Sequence, residues 1–163
     1  MSAAFDSLPS PDWAATTTIS IPRDSSADPA EWARAVFDGS RAPIVVKALF
    51  VLREVAAKIL RIPPGDPSML AFDRIVGSEA VIDTDDKHLH FAATVKPEPA
   101  AGLLHVVTAV KFKSLIGRLY FAPVSILHDP ITRSMMKSAA RRMGIDRIAA
   151  AKSRPVRTAL GSE

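Results

Sequence analysis

Between Glu79 and Lys113 the chain runs EAVIDT, KHLHFAATVK and LLHVVTAVKFK, three stretches in which apolar and polar residues alternate. A period of two sends successive side chains to opposite sides of a sheet. The last stretch is also rich in β-branched residues, which suit a pleated, half-buried surface. The intervening Asp85-Asp86 and PEPAAG are turn-forming, so the three read as consecutive antiparallel strands. After Leu115 the period changes. Tyr120, Val124, Leu127, Ile131, Met135 and Ala139 recur near the helical repeat and form an apolar stripe. A sheet with one apolar side and a helix with one apolar stripe are each unstable alone and bury those surfaces against each other. The fold class that follows is α+β, an antiparallel sheet holding a long C-terminal helix.

The N-terminal half supplies the remaining elements. WAATTTISI, ending before Pro22, reads as a first strand. Asp28 followed by Pro29 is a helix start, an N-cap with proline at the first helical position, and it opens PAEWARAVF. Pro43 opens a second helix, PIVVKALFVLREVAAKIL, stopped by IPPGDPS. Phe72 to Val76 is a short strand broken at Gly77-Ser78. Two helices therefore follow the first strand. Pro123 and Pro130 lie inside the terminal stripe, so that helix is expected to be kinked or made of two pieces. Residues 1–11 read as a disordered lead-in, 12–143 as a single domain, and 144–163 as a basic flexible tail.

Hairpin parity sorts the side chains. A tight turn at Asp85-Asp86 sets Ile82 opposite Leu89, and a turn near Pro99-Ala100 sets His90 opposite Ala109. One side then collects Ala80, Ile82, Leu89, Phe91, Ala93, Val95, Leu104, Val106, Val110 and Phe112, and this is the core side. His88 and His90 fall on the polar side with Asp83 and Lys111. A cation beside the imidazoles opposes metal binding. His105 stands about 13 Å further along the strands, too far to complete a tetrahedral site. The pair reads as a solvated strand surface with cross-strand pairs, and neither a metal site nor a cofactor site is expected.

Composition narrows the classes. There is no cysteine, which removes thiol nucleophiles, iron–sulfur clusters and disulfide scaffolds and fits a reducing cytoplasm. No secretory signal and no membrane-spanning stretch is visible, so a cytoplasmic protein is expected. Residues 1–140 balance fifteen cations against fifteen anions, and the net charge of +4 resides entirely in 141–163. The folded part is thus neutral, which argues against a nucleic-acid surface. No serine elbow and no glycine-rich phosphate loop is present.

The strand DDKHLHFAATV, followed by VVTAVKFKSLIGRLYFAPVSILH, resembles a bacterial family of proteins of unknown function grouped with the START-like, polyketide-cyclase-like (SRPBCC) superfamily. The residues carrying the likeness are Asp86, His88, Leu89 and Phe91; Thr108 and Val110; Ile116, Gly117, Arg118 and Tyr120; and His128. LFVLRE, from Leu49 to Glu54, resembles a further segment of that family. His90 stands where an aspartate is expected, and Asp129-Pro130 follows the helix histidine where an unbroken helix is expected. The resemblance implies a helix-grip fold, a curved sheet wrapped around the terminal helix with a hydrophobic cavity between them. It also implies binding of apolar ligands, with no reaction assigned to the family.

Such a cavity would be lined by Phe91, Val106, Thr108, Val110, Phe112, Tyr120, Val124, Leu127, Ile131 and Met135. Thr108, Tyr120, His128 and Arg53 are the polar residues placed to orient a ligand, and each has a plain structural role as its alternative. The leading expectation is a binding protein for a small apolar or amphipathic ligand, with no catalytic residue. A cyclase-like or isomerase-like enzyme using Tyr120 or His128 as acid or base is the alternative. A module docking an acidic partner through the basic tail is the third reading, and the sequence also admits a homodimer.

Overall fold

The computed structural model describes residues 2–37 and 73–152. In chain order these form α1 (Ala3–Ser7), β1 (Trp13–Ser20), α2 (Pro29–Phe37), β2 (Arg74–Val76), β3 (Glu79–Asp85), β4 (Leu89–Glu98), β5 (Leu103–Phe112) and α3 (Leu115–Lys152). The strands make one antiparallel sheet in the order β1-β5-β4-β3-β2. The α+β class holds, a five-stranded antiparallel sheet against a long C-terminal helix. One helix, α2, follows β1 among the described residues. The expected helix from Pro43 to Leu60, and Arg53 with it, lies outside them.

Both expected hairpin registers are displaced, and both by even numbers of residues. Ile82 faces Ala93 instead of Leu89, and His90 faces Lys111 instead of Ala109. The β3–β4 connection is a three-residue loop, 86–88, closed by the Asp86 amide donating to the Leu89 carbonyl at 2.9 Å. The β4–β5 turn spans Pro99 to Gly102, and Gly102 takes the left-handed φ of 73° that the turn needs. An even slip changes partners without moving a side chain to the other side of the sheet. The inner set therefore stays as expected, with β1 adding Trp13, Ala15, Thr17 and Ile19 opposite Val110, Thr108, Val106 and Leu104.

The lead-in, expected to be disordered, contains α1, which lies on the outer side of the sheet. Ala4 and Leu8 pack on Ala92 and Ala109, with Phe5 and Val107 at the margin. The two strand alanines leave room for a close approach. Glu79 accepts from the Ser2 hydroxyl at 2.9 Å and the Ala3 amide at 2.8 Å, giving the helix start an anionic acceptor. The outer side is thus partly covered, where the sequence suggested a wholly solvated surface.

The inner core lies between one face of the sheet and a layer made of α2 and α3 side by side. Ile19, Leu104, Val106, Ala80 and Val95 from the strands meet Trp32, Ala33 and Val36 of α2 and Met136, Ala139 and Met143 of α3. α2 begins as expected, with Asp28 Oδ1 accepting from the Ala30 amide at 2.8 Å. Trp32 satisfies its indole N–H on the Ser26 carbonyl at 2.8 Å, which permits its full burial.

α3 is a single helix that runs through Pro123 and Pro130 and continues past Met143 to Lys152. Of the two expected forms, the one in two separate pieces is excluded, and helix also continues past 144, where the tail was expected to start. Both prolines sit on the exposed side, where water can take the carbonyls that proline leaves unpaired. The first turn is fixed tightly. Ser114 Oγ accepts from the Gly117 amide at 3.1 Å. A Cβ at Gly117 would lie 2.2 Å from the His88 carbonyl oxygen, so only glycine lets the helix begin this close to the β3–β4 loop.

Candidate functional site

Two turns of α3 separate Phe121 from His128, which puts both on the side that meets β1. Trp13 lies between them. Its ring meets Phe121 at 4.9 Å and 69°, and His128 at 4.9 Å and 73°, both edge-on. Phe112 completes the wall at 5.5 Å from Phe121, and the Arg118 guanidinium sits 5.5 Å from the Phe112 centroid. Four rings from β1, β5 and α3 thus gather near the N-terminal half of α3.

His128 is the polar member of this group. Its Nδ1 is buried and has no hydrogen-bond partner among the described residues. Burial pushes the imidazole below its ordinary range, and the neighbouring Asp129 charge only partly opposes that shift. The ring is therefore neutral at pH 7, with one donor and one acceptor nitrogen.

Asp129 faces the other way. The fully buried Thr17 hydroxyl donates to its Oδ1 at 2.8 Å. That bond, followed by the Arg133 charge, holds the carboxylate below its usual range. Arg133 bridges from Asp129 at 3.3 Å to the Thr18 carbonyl at 2.9 Å. β1 is an edge strand with outward carbonyls, and this arginine satisfies one of them. The helix is thereby pinned to β1 beside His128.

The expected lining residues divide between two places. Val106 belongs to the filled core and Met135 packs against that same core. Val110 pairs with both Trp13 and Phe91, at the aromatic end, and Thr108 is buried on the same side of β5. Phe91, Val124, Leu127 and Ile131 are half-buried, the last three along α3. Tyr120 belongs to α3 by its backbone, and its side chain lies outside the described residues. Sequence reasoning missed Trp13, Phe121, Thr17, Asp129 and Arg133. Only the β1–β5 register, which sequence does not supply, brings Trp13 and Thr17 to α3.

On the outer side, His88 and His90 separate. His88 is in the loop, with Nδ1 3.1 Å from Ser114 Oγ at the helix start. His90 Nε2 is 2.7 Å from Asp83 Oδ1, and Arg74 reaches the same carboxylate at 3.4 Å. His105 Nδ1 meets Thr18 Oγ1 at 2.9 Å. Among the described residues no group of three or more His, Cys, Asp or Glu is placed to hold a metal ion. No helix among them is long and apolar enough to cross a membrane.

A family model described as "Protein of unknown function (DUF2867)" matches residues 7–135, most of the chain and all of the elements that build this site. Neither the curated proteins nor the solved structures contain a match.

Proposed function

The chain belongs to the DUF2867 family, and we propose that it is a START-like, helix-grip protein that binds a small apolar or amphipathic molecule between the sheet and α3. The observation that carries this reading is the buried His128 Nδ1, without a partner among the described residues, on a ring that meets Trp13 and through it the Phe121 and Phe112 rings. A buried polar atom without a partner costs about 1–3 kcal/mol. A ligand with one polar atom and an apolar body would recover that cost and place its body against the rings. Binding sites commonly combine an apolar wall with few polar groups in this way. Thr108 and Val110 would form the floor, with Val124 and Leu127 at the helix side.

A second reading follows from the neutral state of His128. A desolvated imidazole is a competent general base, so a cyclase-like or isomerase-like reaction in the same place is the alternative, with Tyr120 or His128 as acid or base.

Native mass spectrometry of gently purified protein, followed by solvent extraction, tests the first reading. A stoichiometric small molecule is expected, and it should be lost or strongly reduced in His128→Phe. An apo spectrum, together with no thermal shift across a panel of lipids and polyketides, would overturn it.

A further inference from the structure

The solvent side of α3 is patterned along its length. Leu115, Leu119 and Ile126 are 83%, 66% and 79% exposed, and Ala122, Pro123 and Pro130 are exposed among them. At 100° per residue these side chains share one side of the helix, an apolar ridge about 16 Å long from 115 to 126. The same side continues into Arg133, Lys137 and Arg141, of which Lys137 and Arg141 are exposed. Arg118 is exposed at the ridge's other end. Asp129, the acid of α3 that follows the ridge, is occupied by Thr17 and Arg133. The net positive charge of the chain begins where this stripe ends.

We propose that this side of α3 docks on an anionic lipid surface. The ridge stands out from a convex helix, which suits insertion into a soft headgroup layer better than seating in a rigid partner. The exposed cations Lys137 and Arg141 continue its side of the helix, where phosphate groups would lie. The same charges make an acidic surface the complement, in preference to a second copy of a chain that is itself cationic.

The full-length chain has no cysteine, so Leu119→Cys carries a single polarity-sensitive fluorophore. Vesicles of phosphatidylcholine alone should leave its emission unchanged. Vesicles that also contain phosphatidylglycerol should shift it to the blue and carry the protein upward in flotation. Lys137→Glu with Arg141→Glu should weaken that binding at least tenfold, since each cation near an anionic surface contributes about fivefold. Added salt should weaken it as well. Leu115→Ser with Ile126→Ser should abolish it without lowering the melting temperature, because both side chains are exposed. A probe already blue-shifted without vesicles would overturn the proposal, because the ridge would then be covered within the protein or by a second copy. So would the absence of any shift with the anionic vesicles. Equal binding to soluble poly-glutamate would also overturn it, in favour of an acidic protein partner.

Discussion

The space between α3 and the sheet has two ends, and they are built differently. Toward the C-terminal half of α3, Trp32, Leu104, Val106, Met136 and Ala139 come from α2, β5 and α3 and are fully buried. The Trp32 indole N–H at this end has its partner on the Ser26 carbonyl. Toward the N-terminal half, the rings of Phe112, Phe121, Trp13 and His128 follow one another in a row, His128 Nδ1 has no partner among the described residues, and Trp13 is only half-buried. The same two elements thus make a filled core at one end and an unfinished polar site at the other. Stability is concentrated in the first, and the proposed ligand site lies at the second.

The comparison can be broken most forcefully at the filled end. Trp32→Ala should cost about 3–5 kcal/mol in urea unfolding, from lost burial and the cavity it leaves. Trp13→Ala should cost clearly less. Equal losses would mean that both ends are packed alike.

His128 sharpens the contrast. His128→Phe removes an unpaired buried nitrogen and should leave stability unchanged or raise it by up to about 1–3 kcal/mol, while ligand binding is lost. The pH dependence has a defined sign. The folded imidazole sits below the ordinary 6.5 because it is desolvated, so the unfolded chain takes up the proton more readily. Stability is full above about pH 6.5 and falls as the pH drops below it. Urea midpoints across this window should show the slope in the native protein and a flatter profile in His128→Phe. An unchanged slope would place the titration elsewhere.

Thr17→Val keeps the shape of a buried side chain and removes one hydrogen bond. It should cost about 1 kcal/mol and return Asp129 toward the usual carboxylate range, which carboxyl NMR titration would read directly. The smallest effect belongs to the outer side. His88→Ala with His90→Ala should leave the circular dichroism spectrum intact and change stability by no more than about 1 kcal/mol, since the imidazole pairs there are partly solvated.

What sequence conveyed and what it did not follow from the same physics. Which side of the sheet each strand residue occupies is a matter of parity, and parity survives an even slip. Phe91, Ala93, Val106 and Val110 were therefore assignable, while their partners were not. Register depends on turn length, and DTDDKHLH contains several turn-forming stretches of similar quality. α1 was illegible because five residues do not make a helix by propensity. It forms because Ala92 and Ala109 leave room for Ala4, and Glu79 waits at its start. Asp129-Pro130 looked like a helix start, since aspartate before proline usually is one. Its carboxylate instead holds Thr17 in mid-helix, a long-range contact that no local pattern encodes. The meeting of Trp13 with His128 was hidden for the same reason.

The chain's two tryptophans happen to report one on each end. Trp32→Phe leaves Trp13 as the sole reporter, and Trp13→Phe leaves Trp32. A brominated acyl chain and a brominated aromatic compound, titrated into both variants, should quench Trp13 at saturation and leave Trp32 nearly untouched. Equal quenching of the two, or none of Trp13 by either compound, would contradict a ligand site at the His128 end.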